Sequence, residues 1–314
     1  MKIDVDAFRV REGAKVRLSR WKTRIAAPYR SEAEAVDLLA EQVDRTSKLQ
    51  NVLYASNRHS LLLVFQAMDA AGKDGAIKHV MSGVNPAGCD VTSFKQPSAD
   101  ELDHDFLWRT SRTLPRRGQI GIFNRSYYEE VLVVRVHPEL LLKQQLPMPL
   151  PSGKRIWEQR YQSIRDFEAH VQRNGTRVVK FFLHLSKEEQ RLRFLDRITR
   201  PEKNWKFDHG DIAERAHWDA YMTAYEACLS ATSTTDAPWY VIPADDKRTA
   251  RILVSRVVNR TLEAMNLSYP SPGPEHQAEL EQARRQLEEE SRQPVGVSGR
   301  APAKAKAPGA SRRR

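Results

Sequence analysis

Residues 61–80 read LLLVFQAMDAAGKDGAIKHV. The opening LLLVFQ (61–66) is a short apolar run with β-character, the pattern of a strand buried on both faces. It runs into a tight loop containing Gly72-Lys73, and a helical pattern follows directly. Strand, glycine-lysine loop and helix form the layout of a phosphate-binding loop. Backbone N–H groups at the helix start face an anion, and the lysine adds a mobile positive charge. The match to G-x-x-x-x-G-K-[ST] is incomplete: Ala67 stands where the first glycine would be, and Asp74 replaces the hydroxyl residue that ordinarily touches Mg²⁺. An acid inside the loop, Asp69, is placed to hold metal or to face an acceptor phosphate.

Outward from this loop, further short apolar runs stand at CDVTSF (89–94), QIGIFN (119–124), VVKFFLH (178–184) and WYVIPA (239–244). Helical stretches separate most of them, including 153–172 and 187–199, and a first helix spans Ser31 to about Asn57 with a Ser31/Glu34 capping box. In that first helix Val36, Leu39, Val43 and Leu53 recur near helical spacing. Strands alternating with helices imply an α/β fold, a parallel five-stranded sheet covered on both faces. Asp211 and Glu214 suggest another cap, followed by a helix with Ala213, Ala216, Ala220, Tyr221, Ala224, Tyr225 and Cys228 along one side.

The net charge of +11 over 314 residues is unevenly placed. Residues 1–30 carry +6 and residues 293–314 carry +6, which leaves −1 for everything between. The sequence therefore divides into a basic N-terminal arm (1–30), a folded body (31–269) and a charged, largely disordered basic tail (270–314) with room for one solvated helix. The charged start MKIDVDAFRVREG has no apolar stretch of a secretory signal, and no apolar run is long enough for a membrane span. Two cysteines, Cys89 and Cys228, suggest neither a disulfide framework nor a metal site. A reduced, cytoplasmic protein is expected. His137, His184 and His209 are scattered without a metal-ligand spacing and read as structural or surface residues.

Two more segments carry chemistry. FNRSYYEEVLVVRVHPE (123–139) follows the third strand, where ligands of parallel α/β sheets bind, and so brings Asn124 and Arg125 beside the phosphate loop. A guanidinium there can grip a phosphate through two parallel hydrogen bonds. SKEEQRLRFLDRITRPEKNWKF (186–207) begins with a Ser186/Glu189 cap and places Leu192 and Leu195 inward. Arg193, Arg197 and Arg200 share one stripe, and Lys203 and Lys206 follow beyond Pro201. The segment reads either as a salt-bridged face or as a mobile lid closing cations over phosphates.

Together these three segments resemble the polyphosphate kinase 2 family, over roughly residues 30 to 265. The resemblance implies a thymidylate-kinase-like P-loop fold, a three-layer α/β/α body with a helical lid at about 186–210. It implies phosphoryl transfer from inorganic polyphosphate to AMP and/or ADP, in a homo-oligomer of two or four chains, with Mg²⁺ or alternatively Mn²⁺. By position, Asp69 resembles the family's loop aspartate near metal and acceptor phosphate, Lys73, with Gly72 before it, its phosphate-stabilising lysine, and Arg125 its nucleotide-phosphate arginine. Arg193 and Arg197 resemble lid arginines facing the phosphate chain, with Lys203 and Lys206 as further lid cations. Many members have aspartate where this chain has Asn124. Asn is a poor substitute for a carboxylate metal ligand, so Asp69 must carry more of the metal binding. FNRS followed by Glu129 resembles the class III subgroup, which accepts both AMP and ADP. The alternatives are an ATP-dependent nucleotide or nucleoside kinase on the same scaffold, and a nucleic-acid-binding protein using its basic ends. The body's charge of −1 counts against the second.

Overall fold

Strand β1 (Ser60–Ala67) divides its side chains between two cores. Leu61, Leu63 and Phe65 enter one, Leu62 and Val64 the other, and none is more than 1% exposed. Successive Cβ atoms of a strand point to opposite faces, so a strand apolar at every position must be covered on both. The computed structural model describes residues 4–147, 149–150 and 153–292. Contacts divide the chain into two units, with the boundary after Tyr269.

In the first unit β1 is the middle of a five-stranded sheet with β2 (Cys89–Ser93), β3 (Ile120–Asn124), β4 (Thr176–His184) and β5 (Trp239–Pro243). The order is β2-β3-β1-β4-β5, and every neighbouring pair is parallel. Its longer helices are α1 (Glu32–Ser56), α2 (Lys73–Val80), α3 (Arg155–Arg173), α4 (Lys187–Thr199), α5 (His209–Ala216), α6 (Trp218–Thr232) and α7 (Lys247–Ala264). Leu53 of α1, Ile77 and Val80 of α2, and Leu253 and Val257 of α7 share the core entered by Leu61 and Phe65. Tyr161 and Ile164 of α3, with Tyr225, Cys228 and Leu229 of α6, share the core entered by Leu62 and Val64. This is a three-layer α/β/α body. The chain leaves β1 toward β2 and β3 on one side and later returns to β4 and β5 on the other. The crevice at the carboxyl end of β1 is therefore the topological switch point.

Four expectations need correction. Residues 4–30 are no free arm: Val5, Val10, Val16 and Leu18 are buried, and the segment runs along the β5 edge. The Val10 N–H donates to Trp239 O at 2.9 Å, Arg9 bridges Tyr240 antiparallel, and the Leu18 N–H donates to Glu226 Oε1 at 2.7 Å. The segment thus covers an edge that would otherwise be open to another chain, and its apolar residues were hidden among its charges. In α1 the buried stripe is Ala35, Gln42, Thr46, Gln50 and Leu53, while Val36 is 60% exposed. Two of its polar residues meet Asn259 on α7: Thr46 Oγ1 donates to Asn259 Oδ1, and Asn259 Nδ2 donates to Gln42 Oε1. In α4 the inward residues are Gln190, Arg193 and Phe194; Leu192 and Leu195 are exposed. The helix expected beyond Asp211 is two helices, capped by Asp208 and broken at His217, so Ala213, Ala216 and Ala220 are exposed while Tyr221, Ala224, Tyr225 and Cys228 are buried.

In the second unit α8 (Pro274–Arg292) is the charged, solvated helix that the sequence left room for within the tail. Its i,i+4 pairs Arg284–Glu288 and Arg285–Glu281 support it in water. The basic residues expected to form the tail's end, 293–314, lie outside the described residues. Among the described residues no helix is long and apolar enough to cross a membrane.

Candidate active site

The loop between β1 and α2 is held open by backbone geometry. Gly72 has φ +99°, in the left-handed region that glycine enters without strain, and Ala70 is left-handed too at +62°. A non-glycine residue held there marks a site where surrounding bonds over-determine the backbone. Those bonds come chiefly from Arg193, which is 6% exposed. Its Nη1 donates to Ala70 O at 3.1 Å and Ala71 O at 2.8 Å, and its Nη2 to Ala244 O at 2.6 Å. Its Nε donates to Glu189 Oε1 at 2.9 Å. Gln190, one turn away, donates to Asp69 O at 3.0 Å. Arg193 therefore clamps the phosphate loop to the end of β5; the sequence suggested a lid arginine facing the phosphate chain, and its donors are already spent on the protein.

Lys73 opens α2, and its Nζ folds back to donate to Ala67 O at 3.0 Å. The first N–H groups of α2 have no intrahelical acceptor and point the same way. Burial lowers the Lys73 pKa, the Arg125 charge lowers it further, and Asp69, Glu129 and Asp74 oppose both.

The end of β3 meets this loop. Phe65 pairs with Asn124, and the next N–H, of Arg125, donates to Phe65 O at 3.0 Å. Arg125 then turns left-handed, with φ +63°, which aims its side chain across the strand ends. Its Nη2 lies 3.1 Å from Asp69 Oδ1 and its Nη1 3.8 Å from Glu129 Oε2. Burial raises the Glu129 pKa, with Arg125 and Lys73 pulling the other way; Arg125 in turn is held firmly protonated, first by Glu129. Asn124 Nδ2 donates to Asp74 Oδ1 at 2.6 Å. Behind the turn, Tyr127 and Tyr128 both donate to Glu168 Oε1 at 2.8 Å, and Glu168 Oε2 meets buried Lys180 at 2.5 Å. That satisfied network fixes the segment carrying Arg125 and Glu129.

One cleft of about 710 Å³ is lined by Asp69, Gly72, Lys73, Asn124, Arg125, Arg193, Arg197, Lys203 and Lys206. Glu129 lies outside it, in an adjoining 150 Å³ cavity shared with Asp69 and Arg125. The cations of the expected lid are neutralised by neighbours: Arg197 pairs with Asp211 at 3.1 Å and Lys203 with Asp196. Lys206 lies 4.9 Å from the ring of Trp205, which is 78% exposed, so Trp205 does not pack against the body. Sequence reasoning missed Lys247 and Arg251, which also line the cleft. Their position just after the last strand was the available signal.

Among the described residues no group of three or more His, Cys, Asp or Glu side chains is arranged to hold a metal. Mg²⁺ commonly takes one or two carboxylates and completes its shell with water and substrate phosphates. Asp69 is a half-buried carboxylate in a cleft lined by cations, with one oxygen on Arg125, and fits that pattern.

Three comparisons bear on this geometry. Residues 29–270 match the family model for polyphosphate kinase 2. An ADP-polyphosphate phosphotransferase of Rhodopseudomonas palustris is 60% identical over 287 residues, 91% of this chain and 99% of that one. An AMP/ADP-polyphosphate phosphotransferase of Meiothermus ruber is 45% identical over 84% of this chain and 95% of its own length. The crystal structure of polyphosphate kinase 2 from Arthrobacter aurescens superposes with a TM-score of 0.81 at 38% identity, covering 90% of this chain and 96% of that one.

Proposed function

The chain belongs to the polyphosphate kinase 2 family, and from that premise we propose that it moves the terminal phosphoryl group of inorganic polyphosphate onto AMP and onto ADP. The observation that carries this reading is the meeting of Lys73, Asp69 and Arg125 in one cleft at the carboxyl ends of β1 and β3. An oxygen of the acceptor's terminal phosphate attacks the terminal phosphorus of the chain in line. The bond to the bridging oxygen breaks, and the polyphosphate leaves one phosphate shorter. With a second pKa of about 6 the attacking phosphate is already largely ionised at neutral pH, so no strong general base is required. One anhydride is exchanged for another, which makes the transfer reversible.

The physical problem is to bring two polyanions together. Lys73 and the α2 N–H groups receive the transferring phosphoryl group and offset the charge that spreads over its oxygens. Arg125, aimed by its left-handed backbone and by Glu129, grips the acceptor phosphate. Arg193 acts on the loop's shape. The segment from α4 to α5 closes over the chain as Arg197 and Lys203 exchange carboxylate partners for phosphates and Lys206 leaves the Trp205 ring to join them. Mg²⁺, or Mn²⁺ with its similar oxygen preference, would sit on Asp69 and supply further charge neutralisation. The two free thiols, Cys89 and Cys228, support a cytoplasmic setting, and the family resemblance supports a dimer or tetramer.

The test is product formation from polyphosphate and either nucleotide. ADP and ATP from AMP, and ATP from ADP, are expected. ATP from ADP with nothing from AMP would restrict the acceptor to ADP. Transfer from ATP alone would mean the donor is wrong.

A further inference from the structure

Two cations of the cleft have no partner. Lys247 and Arg251 stand four residues apart on the first turns of α7, so they share one face about 6 Å apart along the axis. Among the described residues neither side chain makes a hydrogen bond or an ion pair, whereas Arg193, Arg197 and Lys203 beside them are all paired with acids. Arg251 reaches over the phosphate-loop helix, its Nη2 within van der Waals range of the space above Gly75. The same two residues line a second groove of about 760 Å³, where Arg248 joins them and α1 supplies the far wall. Arg248 is paired with Glu32, and Asp44 of that wall is paired with Lys48 at 2.7 Å. Lys247 is solvent-exposed and Arg251 partly buried; like charges crowded together with no acid in contact repel one another, and an anion that comes to them relieves the repulsion. Burial and the nearby Arg193 and Lys203 charges lower the Lys247 pKa, and the more distant Asp196 and Glu189 offset them only in part.

We propose that Lys247 and Arg251 form a subsite for the body of the polyphosphate chain, beyond the phosphoryl group being transferred, and lead it out of the cleft into the groove between α7 and α1. The inference rests on the donor being polyphosphate. Neither residue touches the reacting phosphorus in this arrangement; they hold the donor.

The test separates donor from acceptor binding. Lys247→Ala and Arg251→Ala are each expected to raise KM for long-chain polyphosphate about tenfold, the size of a lost charge-assisted bond. The KM for AMP or ADP and kcat at saturating polyphosphate should move less than threefold. Arg251→Lys should recover part of the loss. The effect should shrink with tripolyphosphate, which is too short to occupy the exit groove as well as the cleft. A rise in nucleotide KM instead, or an unchanged polyphosphate KM in both variants, would overturn the subsite. If the wild type uses no polyphosphate, the functional reading fails first. Calorimetric titration of long-chain polyphosphate into wild type and the double variant then decides the subsite, and equal binding would overturn it.

Discussion

Asn124 Nδ2 donates to Asp74 Oδ1 across 2.6 Å and so joins the end of β3 to the first turn of α2. At both positions the chain departs from the pattern expected there, a carboxylate at 124 and a hydroxyl at 74. The departures compensate each other. A carboxylate at 124 would face the Asp74 carboxylate at hydrogen-bond distance, and two like charges so placed cannot both ionise cheaply.

Asn124→Asp alone is therefore expected to cost at least about tenfold in kcat/KM. Asp74→Asn added to it restores an amide–carboxylate pair of reversed polarity and should recover most of the loss. A double-mutant cycle on kcat/KM measures the coupling. Additive losses would show that the contact does not couple the end of β3 to α2.

Lys73 must be protonated to receive the phosphoryl group. Burial and Arg125 hold its pKa below the ordinary lysine value of about 10.5. The alkaline limb of the kcat/KM profile should thus begin below the pH at which a free lysine titrates. Lys73→Arg keeps the charge and should shift that limb upward, with lower activity. A limb that stays in place in Lys73→Arg would assign it to another group.

Arg193→Ala leaves the Ala70, Ala71 and Ala244 carbonyls without their donor. A loss of about 2 kcal/mol is expected, which for a domain of this size lowers Tm by roughly 4–8 °C. The phosphate loop should loosen, so kcat should fall while KM for polyphosphate changes little. A large rise in that KM with unchanged Tm would return Arg193 to the role of a lid arginine.

His184, at the end of β4, is buried under the N-terminal segment. Burial lowers its pKa, and the nearby Leu18 and Trp21 backbone and the Asp245 charge only partly offset this. The unfolded chain, with an ordinary value of about 6.5, then binds a proton more readily than the native state. Stability is full above that pH and falls as the pH drops below it. Denaturant midpoints from pH 7.5 to 5 should fall less steeply in His184→Gln than in the wild type; parallel slopes would remove His184 as the cause.

The sheet was legible because most of its strands announce themselves as short apolar runs between helical stretches, and LLLVFQ does so at both faces at once. The meeting of Asp69, Lys73 and Arg125 followed from strand ends alone, since parallel strands deliver their next residues to one edge. Other features were not legible. Arg193 looks like its neighbours Arg197 and Arg200 in sequence; only the carbonyls of two distant segments make it a clamp. The apolar residues of 5–18 are spaced irregularly among charges, so periodicity could not expose them. Lys247 and Arg251 read as ordinary helix surface until the fold sets them against the phosphate loop.

Phosphoryl transfer by the purified protein, with Mg²⁺ and long-chain polyphosphate and with AMP and ADP supplied separately, tests the central claim most directly. The expected result is ADP and ATP from AMP and ATP from ADP, with activity lowered at least about a thousandfold in folded Lys73→Ala and Asp69→Ala. Polyphosphate-dependent turnover that survives in either folded variant would contradict the assigned site, and its absence in the wild type would contradict the assigned donor.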